Sequence, residues 1–277
     1  AGKGLTPHIL VMSATPIPRS LALSIYGDLD VSVIDELPPG RKPIKTKWIA
    51  TIEETKTMYE FIGKKLFQGR QAYFVAPLIE ESEKLAAKST EELLEEVSKY
   101  LPDYRIGVLH GRMKNAEKDE IMSRFKNKEL DIMVSTTVIE VGVDVPNATV
   151  MVINNAERFG LSALHQLRGR VGRGEYQSYC FLVSRTDNAV SKSRLQVMEE
   201  TQDGFKIAEE DLKLRKSGEI FGTKQSGFSD LKFTDIVHDV KTIKLVKDIC
   251  TDYLKENKGI IKNRYLKYDI EEKFKEN

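Results

Sequence analysis

Three arginines and two glycines share a short segment that reads QLRGRVGR. Arg168, Arg170 and Arg173 lie within six residues, and Gly169 and Gly172 stand between them. Arginine suits a phosphate because its planar guanidinium makes paired hydrogen bonds and stays charged when it is desolvated. The glycines remove side chains that would block a close approach, although each weakens a helix by up to about 1 kcal/mol. A solvated helix end has no need of them, and we therefore interpret the segment as an anion site.

A polar segment earlier in the chain could also bind a phosphate. Ser135, Thr136 and Thr137 follow an apolar strand that is predicted to begin at Ile132. In α/β proteins, ligands bind beyond the carboxyl ends of the strands, where these hydroxyl and amide groups would lie. Asp144 follows in a turn that a glycine and a proline enclose. Together with the arginines, this strand end and acidic turn form the part of the chain where we expect function.

These residues must be positioned by the strands and helices that alternate from Ile44 onward. Such alternation is typical of a parallel sheet with crossover helices, so the fold class is α/β. The predicted strands are Thr46–Ala50, Gln71–Ala76, Ile106–Leu109, Ile132–Ser135, Val150–Ile153 and Ser178–Val183. The predicted helices between them are Ile52–Phe67, Thr90–Leu101, Ala116–Lys126 and Ser162–Gly169. Within the polar stretch Glu80–Ser89, we interpret Glu80, Glu81 and Glu83 as residues of a mobile charged loop.

The regions on either side of this alternation differ from it. The sequence ELPPGRKP contains three prolines, which cannot all lie in regular structure, and it therefore predicts a linker. Beyond Arg185 the alternation stops, and Ala189–Thr201 and Phe205–Arg215 predict a helical hairpin. The remainder, from Thr234, predicts two lysine-rich amphipathic helices. The predicted domains are 1–43, 44–187 and 188–277.

Composition limits the class of protein. The chain has 277 residues with 43 basic and 42 acidic side chains, so a nucleic-acid site would have to be a local patch. Its two cysteines predict reduced, buried thiols, and the spacing of its four histidines predicts no metal site. No apolar run is long enough to span a bilayer, and no signal sequence is recognisable. We therefore predict a cytoplasmic protein that does not bind membranes.

Four long motifs carry a resemblance to known motors. TTVIEVGVDVPNA and QLRGRVGRG resemble motifs V and VI of superfamily two helicases and translocases. With SATPIPRSLALSIYGDLDVSVIDELPPGRKP and DGFKIAEEDLKLRKSGEIFGTKQSG, they resemble the RecG branch-migrating DNA helicases in particular. The resemblance covers nearly the whole chain, from Pro7 to about Lys232. It implies that 44–187 is a second RecA-like motor domain and that 1–43 is the end of a first one with its linker, so we expect the chain to belong to something longer.

The resemblance implies a nucleotide site that is shared between two motor domains. Arg170 and Arg173 would be the catalytic residues that reach the γ-phosphate of ATP. Gln166, Gly142 and Asp144 would contact the nucleotide. ATP and Mg²⁺ would be bound mainly by the first motor domain, and the chain by itself is therefore not expected to hydrolyse ATP.

Contacts to DNA are implied at the ends of two predicted strands. Thr136 and Thr137 would hold a DNA phosphate, and His110 and Gly111 would touch the nucleic-acid backbone. A turn or capping role is the alternative for His110. The implied substrate is branched or forked DNA, a single-stranded-DNA-binding protein is a candidate partner, and we expect a monomer.

The predicted hairpin carries a third implied role. In the family, the hairpin and the loop after it convert motor closure into movement of the duplex. The matching residues for this translocation coupling are Arg194, Arg215 and Gln225. Lys216 stands where the family usually has glycine, which leaves the local backbone turn open.

Two alternatives to a fork-remodelling helicase remain open from the sequence. The transcription-repair coupling translocases share the arginine motif and the hairpin, although SIYGDLDVSVIDELPPGRKP favours the RecG family. A non-catalytic module could use the same basic segment to hold nucleic acid without a motor. A small-molecule α/β enzyme is disfavoured, because the chain offers no convincing nucleophile or general base.

Overall fold

The structure is a computed structural model that describes residues 40–77, 83–136, 144–214 and 240–256, and the single residues Leu10, Ser32, Ile34 and Tyr268. The described residues from 40 to 214 belong to one compact unit. The helix at 240–256 belongs to another unit. Predictions that fall elsewhere, including most of 1–43, lie outside the described residues.

A parallel sheet of six strands forms the first unit. The strands are β1 Lys45–Ile49, β2 Gln71–Val75, β3 Ile106–Leu109, β4 Ile132–Ser135, β5 Ala148–Asn154 and β6 Tyr179–Val183. Their order in the sheet is β1-β6-β5-β2-β4-β3, and every pairing is parallel. The predicted α/β fold with a parallel sheet is therefore confirmed.

Helices cover both faces of the sheet and continue beyond it. The described helices are α1 Ile52–Phe67, α2 Glu83–Tyr100, α3 Asn115–Lys126, α4 Leu161–Arg168, α5 Ala189–Glu200, α6 Gly204–Leu214 and α7 Val240–Glu256. A short 3₁₀ helix, Ala156–Arg158, precedes α4. Every predicted crossover helix is present, and α5 and α6 form the predicted hairpin.

Local signals explain where α1 begins. The Thr51 hydroxyl accepts a hydrogen bond from the Glu54 amide at 3.2 Å, and the Glu54 carboxylate accepts one from the Thr51 amide at 3.1 Å. This reciprocal capping box satisfies amide groups that have no partner within the helix. The backbone amide of Ala50 also donates to Glu54, and these bonds lower the pKa of that carboxyl group.

The prediction of a charged loop was wrong at Glu83, whereas Glu80 and Glu81 lie outside the described residues. Helix α2 begins at Glu83 and not at Thr90. Glutamate, lysine, leucine and alanine all have high helix propensity, and EKLAAK contains nothing else. A charged stretch without glycine or proline therefore indicated a helix.

The strands are buried on both faces, which gives two hydrophobic cores. Tyr73 and Val75 of β2 point into one core together with residues of α3, α4, α5 and α6. Ala72 and Phe74 point into the other core, against α1 and α2. Alternation along a strand places successive side chains on opposite faces. The central strands are therefore almost wholly apolar.

The helical hairpin packs onto the sheet. Leu195 and Met198 of α5 and Ile207 of α6 are buried in the same core as Leu164 and Leu167 of α4. The hairpin is thus held to α4, the helix that leads directly into residues 169–174, which we call the arginine segment. The predicted domain boundary at 187 stays a prediction.

Other predictions concern cysteines, membranes and metals. Cys180 is buried as predicted. The same prediction was wrong for Cys250, which is exposed on α7, a helix that also exposes Leu245 and Ile249. Across the part of the chain that the structure describes, no helix is long and apolar enough to cross a membrane. Within those same residues, no cluster of three or more His, Cys, Asp or Glu side chains could hold a metal ion.

The buried Gln71 side chain offers a test of how β2 is tied to its neighbours. Its amide nitrogen donates to the carbonyl groups of Phe125 and Leu130, at 2.6 and 2.7 Å. Replacing Gln71 with leucine would take this donor from the Leu130 carbonyl and would leave the Phe125 carbonyl with only the Lys128 amide, at 3.0 Å, so we expect a loss of about 1–3 kcal/mol in the free energy of unfolding. Urea denaturation of the chain measures this. The control Gln68→Leu alters an exposed side chain of the same type, and an equal loss in both variants would contradict the assignment.

Candidate active site and nucleic-acid interface

The parallel sheet separates the predicted site residues into two groups. His110 and Gly111 follow β3, and Thr136 follows β4, so these residues lie at the carboxyl edge of the sheet. Asp144 precedes β5, and the arginine segment 169–174 precedes β6, so these residues lie at the amino edge. The sequence patterns did not predict that the two groups occupy opposite edges.

The amino edge brings Asp144 and the arginines together. The guanidinium Nη1 of Arg173 lies 3.6 Å from Oδ1 of Asp144, and both side chains are partly exposed. Burial raises the pKa of the nearby Tyr73 hydroxyl, and the charges of Arg173 and Arg170 oppose this rise. Asp144, Arg170 and Arg173 therefore share one electrostatic environment near Tyr73. The side chains of both arginines are partly exposed.

Close packing explains two glycines of the arginine segment. Gly172 has a φ of +78°, and a Cβ added to it would lie 2.9 Å from Cγ1 of Ile44. A Cβ on Gly174 would lie 2.6 Å from the carbonyl oxygen of Pro146. The sequence suggested that Gly169 and Gly172 clear the way for a ligand. At Gly172 the missing side chain instead lets the segment pack against its own protein, and Gly174 does the same beside Pro146.

Arg168 does not belong to the anion site. Its side chain is only 3% exposed, and its Nη1 donates to the carbonyl groups of Met198 and Thr201 at 2.8 and 2.9 Å. Spacing alone grouped it with Arg170 and Arg173. However, Arg168 is the last residue of α4, whose buried side packs against the hairpin, whereas the other two arginines follow the helix end.

His165 stands one helical turn before Arg168. Its Nδ1 lies 3.1 Å from Nη2 of Arg168, and its ring is partly buried. Burial lowers the pKa of His165, and the charge of Arg168 lowers it further, against a smaller opposing effect of Asp203. These effects favour the neutral ring, whose Nδ1 can accept a hydrogen bond from the guanidinium.

The other predicted nucleotide contacts are only partly described. Gln166 is exposed on the last turn of α4, shortly before Arg170 in the sequence. Gly142 lies outside the described residues. Of the three predicted nucleotide contacts, Asp144 therefore lies beside Arg173, and Gln166 is exposed on the helix that precedes the arginine segment.

At the carboxyl edge, Thr136 is covered. Its side chain is 2% exposed, and among the described residues its hydroxyl has no hydrogen-bond partner. The contact between Thr136 and a DNA phosphate stays a prediction. Thr137 lies outside the described residues.

His110 and Gly111 form a turn at the same edge. The His110 carbonyl accepts a hydrogen bond from the Met113 amide at 3.2 Å, and the Gly111 carbonyl accepts one from Lys118 at 3.4 Å. Gly111 is exposed, and a Cβ at this position would meet no atom within 4 Å. The backbone is therefore accessible here, and the turn role for His110 and a contact with nucleic acid are compatible.

The sequence patterns did not single out Arg158, which also stands at the carboxyl edge. Arg158 is exposed and lies in the 3₁₀ helix just beyond β5. Asn155, which precedes this helix, has a left-handed backbone with a φ of +48°. A basic residue just beyond a predicted strand is the signal that could have identified it. Arg158 adds positive charge to the edge where DNA contacts are predicted.

Of the predicted coupling residues, only Arg194 is described. Its Nη1 donates to the Phe159 carbonyl at 3.1 Å, and its Nη2 donates to the Ser191 hydroxyl at 3.3 Å. Arg194 thus ties α5 to the loop that precedes α4. Arg215, Gln225 and Lys216 lie outside the described residues.

Two glycines with nearly the same backbone conformation test the packing of the arginine segment. Gly172 and Gly69 have φ values of +78° and +75°, but only Gly172 has a neighbour where a Cβ would stand. Alanine at either position carries the left-handed strain of about 1–2 kcal/mol. We expect Gly172→Ala to lose about 1–3 kcal/mol more than Gly69→Ala because Ile44 must move. Chemical denaturation of the two variants measures this, and equal losses would mean that the contact with Ile44 is unimportant.

Comparisons by sequence identify two matching families. The family described as "Helicase conserved C-terminal domain" matches residues 54–175. The family described as "ATP-dependent DNA helicase RecG, domain 3, C-terminal" matches residues 201–272. The first match contains the arginine segment, and the second contains helix α6.

Curated relatives extend this similarity over most of the chain. The ATP-dependent DNA helicase RecG of Synechocystis sp. is 53% identical over 273 residues, which cover 98% of this chain and 33% of that protein. The protein of the same name from Escherichia coli is 48% identical over 264 residues, which cover 94% of this chain and 38% of the relative. The chain therefore spans about one third of the length of these relatives.

A solved structure agrees with the sequence comparisons. The structure described as RecG bound to a three-way DNA junction matches 84% of this chain and 30% of that protein, with 49% sequence identity and a TM-score of 0.65. The chain thus belongs to the RecG family, from which it carries the helicase C-terminal domain and the C-terminal part of domain 3.

Proposed function

We propose that the chain supplies the second motor domain and the helical hairpin of an ATP-dependent helicase that moves along double-stranded DNA. This helicase would remodel stalled replication forks and branch-migrate Holliday junctions in recombination and repair. The observation that carries the proposal is the pairing of Arg173 with Asp144 beside Arg170 at one edge of the sheet, with the predicted DNA contacts at the other edge. The names of the relatives, and the DNA junction in the similar structure, support it.

Arg170 and Arg173 are proposed to stabilise charge on the γ-phosphate of ATP. The pair between Arg173 and Asp144 is partly exposed, and such surface pairs contribute only about 0–1 kcal/mol. Arg173 can therefore exchange Asp144 for a phosphate at little cost. An arginine finger contributes about 10³ to 10⁵ in rate, provided that the rest of the site positions ATP.

The first motor domain is proposed to bind most of the ATP and the Mg²⁺ ion. Asp144, Gly142 and Gln166 would contribute the nucleotide contacts from this side of the cleft. Asp144 would be free to contact ribose hydroxyl groups once Arg173 has turned to the phosphate. The chain without the first domain is therefore expected to hydrolyse no ATP.

The carboxyl edge is proposed to hold the DNA backbone. His110 and Gly111 present accessible backbone, whereas Thr136 and Thr137 would offer hydroxyl and amide donors to a phosphate. Arg158, at the same edge, would add a charge-assisted contact. The proposed substrate is forked or branched DNA, and the whole protein is proposed to be a cytoplasmic monomer with a single-stranded-DNA-binding protein as a candidate partner.

The hairpin is proposed to turn motor closure into movement of the duplex. Arg194 supports this role because it fixes α5 to the loop before α4, which is the helix that carries the arginine segment. Arg215 and Gln225 are proposed to act in the same step. The alternatives of a transcription-repair coupling translocase and a non-catalytic module gain no specific support.

Unwinding assays with the full-length gene product test the function as a whole. The protein should unwind forked DNA and four-way junctions only when ATP and Mg²⁺ are present, and it should unwind linear duplexes with flush ends much less. DNA binding without any ATP hydrolysis would favour the non-catalytic module instead.

Single substitutions of the two arginines test the nucleotide site. In the full-length protein, Arg170→Ala or Arg173→Ala should lower the kcat for DNA-stimulated ATP hydrolysis by about 10³ or more, because phosphate charge is left without a finger. Both side chains are only partly buried, so melting temperatures should stay close to that of the wild type. Arg124→Ala on α3 is the control, since it removes an exposed arginine that pairs with Glu129. Wild-type turnover in both finger variants would contradict the assignment.

A further inference from the structure

The buried Arg168 side chain connects the arginine segment to the end of helix α5. Its Nη1 donates to the carbonyl groups of Met198 and Thr201, and lies 3.4 Å from the Thr46 hydroxyl on β1. The last carbonyl groups of a helix lack partners within it, and positive charge is favourable near that end. Arg168 therefore caps the carboxyl end of α5 from a different helix.

Arg168 is held in the core without a counter-charge. In the described part of the chain, no carboxylate forms an ion pair with Arg168, although burial disfavours its charge and lowers its pKa. An apolar side chain would avoid the cost of burying a charge, but it would leave the carbonyl groups of Met198 and Thr201 without this donor. The planar guanidinium instead holds both carbonyl groups at once in a fixed direction.

A second connection runs in parallel through Ile44. The Gln202 side chain, in the turn of the hairpin, accepts a hydrogen bond from the Ile44 amide at 3.0 Å and donates one to the Ile44 carbonyl at 2.9 Å. The side chain of Ile44 in turn lies against Gly172. The hairpin turn is thus joined to the arginine segment at both of its ends, through Arg168 on one side and Ile44 on the other.

The path from the proposed fingers to the hairpin is short. Arg173 donates from Nε to the Gly169 carbonyl at 3.4 Å, and Gly169 is covalently joined to Arg168. A displacement of Arg173 toward a phosphate would therefore act on the backbone next to the residue that holds the hairpin.

We propose that Arg168 is a positioning residue, which transmits movement of the arginine segment to the hairpin and contacts neither ATP nor DNA. The Gln202 bonds to Ile44 act as the second link in the same connection. This inference rests on the proposed function, because it assigns the part of the motor that joins ATP hydrolysis to movement along the duplex.

The test uses Arg168→Lys in the full-length protein. Lysine keeps the charge, but it lacks the second nitrogen that contacts His165 and the rigid plane that directs Nη1 at both carbonyl groups. The KM for ATP and the kcat for DNA-stimulated hydrolysis should stay within about twofold of the wild type. The number of base pairs unwound per ATP on forked DNA should fall by about fivefold or more, which corresponds to roughly one kcal/mol of lost coupling.

Gln202→Ala provides a variant that does not threaten the core. Gln202 is exposed, so its removal should leave folding intact while it breaks the link to Ile44. We expect it also to lower the base pairs unwound per ATP. Gln196→Ala is the matched control, because Gln196 is an exposed glutamine on α5 of the same hairpin, and the ratio should not change.

Three results would overturn the inference. A rise in the KM for ATP and a fall in kcat like that of Arg170→Ala would make Arg168 a phosphate contact. An unchanged number of base pairs per ATP in both Arg168→Lys and Gln202→Ala would reduce the network to packing. A wild-type protein without DNA-stimulated ATP hydrolysis would refute the proposed function before any variant is measured, so that failure is distinguishable from the other two.

Discussion

Parallel pairing of six strands determines where each functional group in this protein can stand. Because all the strands point the same way, the loops that follow them gather at one edge of the sheet and the loops that precede them gather at the other. The central strands β2, β4 and β5 are also buried on both faces, so a shift of their register would disturb the packing of two cores at once. The separation between the arginine edge and the proposed DNA edge is therefore a property of the sheet, and loops alone could not alter it.

The arginine segment is held by contacts with three other parts of the chain. Gly174 packs against the backbone of Pro146, Gly172 lies against Ile44, and Arg168 holds the end of α5. None of these contacts involves the two arginines that face outward. The segment thus uses its small and buried residues for position, and this leaves Arg170 and Arg173 partly exposed for a ligand.

Much of the fold follows from local patterns, but the site follows only in part. The bounds of α1 were predictable because Thr51 and Glu54 form a cap within four residues, and the central strands were predictable because they are almost continuously apolar. The start of α2 was missed because charge was treated as a loop signal where helix propensity prevailed. The role of Arg168 could not be predicted, because its partners come thirty or more residues later in the chain and the direction of its side chain depends on the packing of α4.

Ile44 is the residue at which the proline-rich linker meets the sheet, one position before β1 begins. Its backbone is bonded to the hairpin turn, and its side chain touches the arginine segment. Mechanical tension along the linker would therefore be applied at a junction that these two elements share with the first residue of β1. A pull from residues 40–43 would load the hairpin, the arginine segment and β1 together.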